Sequence, residues 1–323
     1  MYSFGSILLR CIRKGYKLIK KYDWHDNTRV QYSGQAANDF VKSSIENSNG
    51  GLLIAKFGTI ELNSVCCCKR RMDGLKKSDY LDYIKGKGSI YPEDTIRYLY
   101  INAGFFPMSL DLQNQFTKRV LDDIKDIDIL CSYVDQETYL SEELRHCINI
   151  DLYGYCAPFA WKNPWTEVLR GKKVLVVHPF TESIKIQYES RQLLFENKAV
   201  LPEFDELILV KAVQSIAGNG EKTGFSNWFE ALKFMEDEID KHEYDIALIG
   251  CGAYGMSLAA HCKRKGKIAV HMASWVQMLF GIYGQRWAVD QPEYTHFINE
   301  YWTRPLESEK PANLEKVENG AYW

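Results

Sequence analysis

The sequence predicts an α/β protein, a mostly parallel sheet with helices on both faces. Two observations carry this. From Gly171 onward, short apolar runs alternate with segments of helical periodicity. Residues 244–260 (YDIALIGCGAYGMSLAA) read as strand, glycine turn and helix, and residues 267–272 (KIAVHM) supply a second strand that completes a βαβ unit. Parallel strands need crossover helices of this kind, and because they are buried on both faces they appear as continuous apolar runs.

The elements follow in order. Residues 1–22 form a basic amphipathic helix. Leu8, Leu9, Cys11, Ile12, Tyr16, Leu18 and Ile19 share one face, and Arg10, Arg13, Lys14, Lys17, Lys20 and Lys21 the other, with no acidic residue between them. Such a helix either lies in the surface of an anionic membrane or packs on the body with its basic face in solvent. Residues 31–46 read as a helix stopped by Asn49-Gly50-Gly51, and 52–57 (LLIAKF) as a buried strand running into Gly58-Thr59-Ile60-Glu61 and a helix from about Leu62. The basic, glycine-bearing stretch 69–87 is expected to be a mobile loop over the site. Pro92 opens one helix and Ser109 caps the next. Residues 127–133 and 147–152 read as strands with a charged helix between them, and 161–165 as a turn between the two halves. Strands at 173–177 and 206–210 and helices at 181–197 and 227–241 lead to the βαβ unit. Residues 23–323 are expected to form a single catalytic domain.

The totals narrow the function. At 323 residues, 46% hydrophobic and 25% charged, the chain is an ordinary globular size and composition. A net charge of −2 gives no case for nucleic acid. The nine cysteines contain no Cys-x-x-Cys pair, and Cys66-Cys67-Cys68 are consecutive, so they read as free thiols of a reducing cytoplasm. No apolar run reaches the length needed to span a bilayer. Aromatic residues are 13% of the chain, which suits stacking on bases or sugars as well as core packing.

The glycine turn at Gly250, Gly252 and Gly255 with Tyr254 suits a pyrophosphate at a helix N-terminus. A dinucleotide site would also place a carboxylate about twenty residues on, at the end of the second strand. Here that strand ends in His271-Met272-Ala273-Ser274, so a phosphate-bearing ligand is expected and NAD is not. The other polar residues that follow strands are Thr59, Glu61, Ser132, His178, Glu182, Gln214, His271 and Ser274. In a parallel sheet all of them fall on the carboxyl edge, where ligands bind.

Residues 55–62 (AKFGTIEL) resemble the Arg-Phe-Gly-Asp-Gly-Glu stretch of the GT-D type glycosyltransferases. The segments VLVVHPFTESIKIQY, DIALIGCGAYGMSLAAHCKRKGK, MLFGIYGQRW and NEYWTRPLESEKP are similar to a bacterial branch of that family associated with capsule and other surface polysaccharides. The resemblance runs from about Ala37 onward and omits the N-terminal helix. It implies a Rossmann-like, GT-D-like domain that moves a sugar from a nucleotide-sugar donor to a saccharide or lipid-linked acceptor. In better-known members an Asp-x-Glu motif holds the donor pyrophosphate through Mn²⁺ or Mg²⁺. Its Glu falls on Glu61 and its Asp on Thr59, and a hydroxyl ligates a hard cation more weakly than a carboxylate does. On this reading Glu61, Glu182 and His178 are the catalytic candidates. Gly58, Thr59, Gly250, Gly252, Tyr254, Gly255, His271, Ser274 and Arg286 would hold the donor, with Arg304 as a further cation and Trp287 and Trp302 as stacking platforms. The protein would be cytoplasmic, peripheral at the inner membrane face through residues 1–22. The competing expectations are a non-catalytic nucleotide-sugar-binding or assembly protein of the same fold and, further off, an NAD-dependent oxidoreductase.

Overall fold

The structure is a computed structural model describing residues 4–20 and 29–323. Lys21 of the expected N-terminal helix lies outside the described residues. Seven strands, β1 (Leu52–Lys56), β2 (Ile129–Cys131), β3 (Ile148–Ile150), β4 (Lys173–His178), β5 (Glu206–Lys211), β6 (Ile246–Ile249) and β7 (Ile268–His271), form one sheet in the order β3-β2-β1-β7-β6-β4-β5. Every pairing is parallel. The last strand is the joint: β7 pairs with β1 (Leu53 opposite Ala269) and with β6 (Leu248 opposite Val270), uniting the two halves of the chain.

Alternate residues of each strand feed two separate cores. Leu53, Ala55, Leu175 and Val177 face one, which is covered by α3 (Thr59–Met72), α5 (Pro92–Ala103), α6 (Leu110–Asp123), α10 (Trp228–Ile239) and α11 (Gly255–Arg264). Ile54, Val174, Val176 and Val270 face the other, covered by α2 (Gly34–Glu46), α7 (Leu152–Cys156), α8 (Thr181–Glu189), α9 (Arg191–Leu194) and α12 (Trp275–Leu279). The remaining helices, α1 (Phe4–Ile19) and α4 (Lys77–Lys85), pack on each other at the periphery.

Local chemistry explains the helix starts. The Asn227 side chain accepts the amide hydrogens of Phe229 and Glu230, Ser109 that of Leu112, and Pro92 opens α5. Three expectations are corrected. Residues 69–87 are not a loop over the site: α3 continues to Met72, α4 follows, and the Asp79 carboxylate caps it by accepting from the Lys76 amide. The charged segment between β2 and β3 makes a 3-10 turn, Asp135–Leu140, in place of an α-helix. The segment 181–197 breaks into two helices at Ser190. The turn at 161–165 falls between β3 and β4, and its fully buried Trp165, whose indole N–H donates to the Tyr155 carbonyl, ties it to the core.

The turn after β2 buries an acid. Glu137 accepts from the Ser132 hydroxyl and from the amides of Tyr133 (3.2 Å) and Val134 (3.3 Å). Burial nevertheless pushes its carboxyl up to about 7, these hydrogen bonds opposing the rise. The unfolded chain ionises near the ordinary glutamate value, so the native state keeps a proton through the interval up to about 7 and must bury an anion above it. Stability contributed by the neutral acid is therefore present at low pH and lost as pH rises through about 7. Glu137→Gln, which can accept from the two amides and donate to Ser132, should raise the melting temperature more at pH 8 than at pH 5. Equal shifts at the two pH values would remove the buried anion from the account.

Candidate functional site

The crossover after β6 runs through α11 on one face of the sheet, and the one after β4 runs through α8 on the opposite face. β6 and β4 are neighbours, so their diverging connections open a crevice at the carboxyl edge, the place where parallel sheets hold ligands. A cavity of about 160 Å³ lies there. Its wall is built from the ends of six strands: Lys56 and Gly58 to Glu61 at β1, Tyr133 after β2, His178 to Phe180 at β4, Ala212 to Ile216 after β5, Gly250 to Gly252 after β6, and Ala273, Ser274 and Gln277 after β7. Asn102 and Ala103 at the end of α5 close one side. Arg286 and the C-terminal residues Leu314, Glu318 and Tyr322 close another.

The glycine turn is shaped by close packing. Gly252 has φ +59°, and a Cβ there would stand 2.7 Å from the Ala103 carbonyl oxygen. At Gly250 it would stand 2.3 Å from the Ala273 carbonyl oxygen, and at Gly255 2.3 Å from His271 Nε2. These contacts draw the α5 terminus and the β7 loop against β6 and so form the cavity floor. Tyr254 stacks on Trp228 at 5.3 Å, and its hydroxyl meets Ser215 Oγ at 2.8 Å.

Glu61 sits in the first turn of α3, which begins at Thr59 rather than near Leu62. Its carboxylate folds back over Gly58, where a Cβ would be 2.0 Å from Oε2. Burial raises its pKa, while its own backbone amide and the Lys56 ammonium pull the other way. Lys56 itself, at the end of β1, is buried with its ammonium 5.0 Å from the centre of the Tyr133 ring. Burial opposes its charge, while ionisation of Tyr133, Cys156 and Cys131 acts the other way and raises its pKa above the ordinary lysine value.

His178 is buried and its pKa is lowered to about 3 by desolvation, which leaves the imidazole neutral. Its Nδ1 accepts the Phe180 amide at 3.1 Å. The proton of the neutral ring therefore sits on Nε2, and the only lone pair available to a base is already used. This corrects the expectation of His178 as catalytic base; it is equipped to donate a hydrogen bond. His271 is likewise neutral, lowered to about 3 by burial and by Lys56, and it borders a small void behind the cavity together with Glu61.

Arg286 is anchored by the C-terminal segment. It pairs with Glu318, donates to the Tyr322 hydroxyl at 3.2 Å and to Ser274 Oγ at 3.3 Å, and lies over the Tyr322 ring. A second carboxylate of that segment, Glu309, accepts the amides of Glu182 (2.8 Å) and Ser183 (3.2 Å) and the Ser183 hydroxyl. The N-terminus of α8 is thus filled by the chain's own anion.

Of the expected residues, the cavity brings together Gly58, Thr59, Glu61, His178, Gln214, Gly250, Gly252, Tyr254, Ser274 and Arg286. His271 lines the small void behind it, and Gly255 and Ser132 line neither. Glu182 is exposed and outside the lining. Trp287 is fully buried, and Trp302 is buried with its indole N–H on the Leu194 carbonyl, so both are core residues and not stacking platforms. Arg304 donates to the Trp323 carbonyl, away from the lining. Sequence reasoning missed Lys56, Tyr133, Glu318 and Tyr322. For Lys56 there was a signal, a lysine closing an otherwise apolar strand.

The residues present do not fit a divalent cation. Thr59 offers a hydroxyl where a carboxylate is needed, the Glu318 carboxylate is taken by Arg286, and Glu61 faces Lys56 and Arg286. No group of three or more His, Cys, Asp or Glu residues suited to a metal occurs among the described residues.

No family model and no curated protein matches the chain. Two solved structures are similar over most of its length. One is described as a new glycosyltransferase (DUF1792) from Streptococcus sanguinis: 12% identity, TM-score 0.36, covering 86% of this chain and 96% of that one. The other is a selenomethionine-substituted domain of unknown function 1792: 12% identity, TM-score 0.42, covering 93% and 96%. Likeness at this level leaves the function to be argued from the cavity.

Replacing Gly252 with Ala should cost about 1–3 kcal/mol, read from the urea midpoint, because strain at positive φ and the Ala103 contact act together. Gly266→Ala, at φ +77° in open space, should cost less. Equal losses would show that backbone strain alone sets the penalty.

Proposed function

We propose that the chain transfers a sugar from a nucleoside-diphosphate donor to the hydroxyl of a saccharide or lipid-linked acceptor. The observation that carries this is the charge arrangement at the β6/β4 crevice: two cations, Lys56 and Arg286, and a neutral imidazole with Nε2–H share one cavity with a single uncommitted carboxylate, Glu61. A role in surface polysaccharide synthesis is supported by the sequence resemblance alone.

The chemistry is that of an inverting displacement. Glu61, a stronger base for its raised pKa, takes the proton of the acceptor hydroxyl as that oxygen bonds to the anomeric carbon. The bond from the anomeric carbon to the diphosphate oxygen breaks, and its electron pair stays on the departing phosphate. Lys56 and Arg286 neutralise the charge that develops there and His178 Nε2–H donates to it, so side-chain cations do what a metal does elsewhere. The cavity is smaller than the 300–1,000 Å³ of typical ligand sites. On this reading the C-terminal wall carrying Leu314, Glu318 and Tyr322 shifts to admit the donor.

A thermal-shift series with UDP, GDP, CMP, their sugars and NAD, with and without Mn²⁺, tests the reading. A ligand that binds only the folded chain stabilises it by about 2.7 kcal/mol at a hundredfold excess over Kd. One nucleoside diphosphate should shift the melting temperature strongly, equally in EDTA and in Mn²⁺. A response to NAD alone, or to nothing, would sink the proposal; tight binding without transfer would favour the binding-protein alternative. For turnover, Lys56→Ala and Arg286→Ala should each lower kcat by about a hundredfold or more. Glu61→Gln should abolish the acid limb of the pH–rate profile, which in the parent lies above the ordinary glutamate value of 4.5. An acid limb that survives Glu61→Gln would assign the base elsewhere.

A further inference from the structure

The N-terminal helix docks the wrong way round for a helix seeking the core. The face of α1 that meets the body is the basic one. Arg13 donates to the carbonyls of Tyr83 (2.9 Å) and Gly88 (2.7 Å) and lies over the Tyr83 ring at 4.4 Å. Arg10 pairs with Asp94 at 2.8 Å and covers the Tyr91 ring at 4.4 Å. No residue of α1 is buried. The apolar residues Phe4, Ile7, Leu8, Ile12, Leu18 and Ile19 all face solvent, with Phe4, Leu18 and Ile19 more than four-fifths exposed. An arginine dock of this geometry fixes the helix while holding its apolar stripe outward.

We propose that this outward face of α1 is a docking surface for an anionic lipid bilayer, with the helix lying in the plane of the interface. The charge pattern selects this occupant. Lys14, Lys17 and Lys20 stay exposed on the basic side of the helix, from which long side chains can reach a headgroup layer, and residues 4–20 contain no acidic side chain. A second copy of the chain would bring these lysines against their own equivalents, whereas an anionic headgroup layer neutralises them. The helix is too short and too charged to cross a bilayer, and no described helix is long and apolar enough to do so. The dock has a geometric consequence. Arg10 holds the N-terminal end of α5 through Tyr91 and Asp94, and the other end of that twelve-residue helix, Asn102 and Ala103, borders the cavity. About 18 Å of helix therefore separates the lipid-facing element from the site. This inference stands whether or not the site transfers sugars.

The test is co-sedimentation of the full chain with phosphatidylcholine vesicles with and without 30 mol% phosphatidylserine, roughly a third of the lipid, as for an anionic leaflet. The chain should bind the anionic vesicles, bind the neutral ones at least tenfold more weakly, and be released by salt. Leu8→Glu/Ile12→Glu, at exposed positions that leave the Arg10 and Arg13 dock intact, should abolish binding. Lys14→Gln/Lys17→Gln should weaken it by roughly twentyfold. Circular dichroism and an unchanged melting temperature confirm that the variants fold. Equal binding to both vesicle types, no binding to either, or an anionic-vesicle signal that survives Leu8→Glu/Ile12→Glu would overturn the proposal. So would a lipid-free dimer in sedimentation velocity that this double substitution dissolves, since it would assign the face to a second copy of the chain.

Discussion

The pairing of β7 between β1 and β6 is the contact on which the rest of the molecule depends. Residues 268–271 are the last strand in sequence and the middle strand in space. They are flanked by a strand from each half of the chain, Leu52–Lys56 on one side and Ile246–Ile249 on the other. Without β7 the two halves would be separate sheets, each exposing an unpaired edge. With it, the carboxyl ends of β1, β4, β6 and β7 are brought to one rim, and Lys56, Glu61, His178, Gly250 and Ser274 line one cavity although Lys56 and Ser274 are more than two hundred residues apart in sequence.

The electrostatics of the site follow from that convergence. A parallel sheet buried on both faces has few places for charge, so a lysine at a strand end must project into a cavity or pair with an acid. Lys56 does the first. Glu61 is kept from ionising easily by burial, and His178 is kept neutral by burial and kept from acting as a base by the Phe180 amide. The two carboxylates of the C-terminal segment are already engaged, Glu309 on the N-terminus of α8 and Glu318 on Arg286. What remains is a pocket with two cations, Lys56 and Arg286, and one carboxylate, Glu61, that the C-terminal segment does not engage.

The periphery obeys a different logic. In α1 the arginine guanidiniums find flat tyrosine rings, carbonyls and a carboxylate on the body, and these directional partners outcompete apolar packing for the docking face. The amphipathic pattern was plain in the sequence, but which stripe would turn inward was not, because a helical wheel shows two faces and says nothing of what each will meet.

The sequence by itself determined the elements. Each of the seven strands overlaps a stretch whose apolar run announced it, and the caps at Asn227, Ser109 and Pro92 are local chemistry. Gly250, Gly252, Glu61 and His178 were legible as residues of the sheet's carboxyl edge because each follows an apolar run within a few positions, and all four line the cavity there. The tertiary structure decided the orientations and the partners. Glu182 points to solvent because Glu309, more than a hundred residues away, takes the amides at its helix start. Trp287 and Trp302 went to the core, and Glu318 and Tyr322 came to the cavity from a terminal segment with no periodicity to read. Local sequence specifies which backbone state each segment prefers. Which side chains converge is set by sheet order and by long-range hydrogen bonds, and neither leaves a periodic trace in the chain.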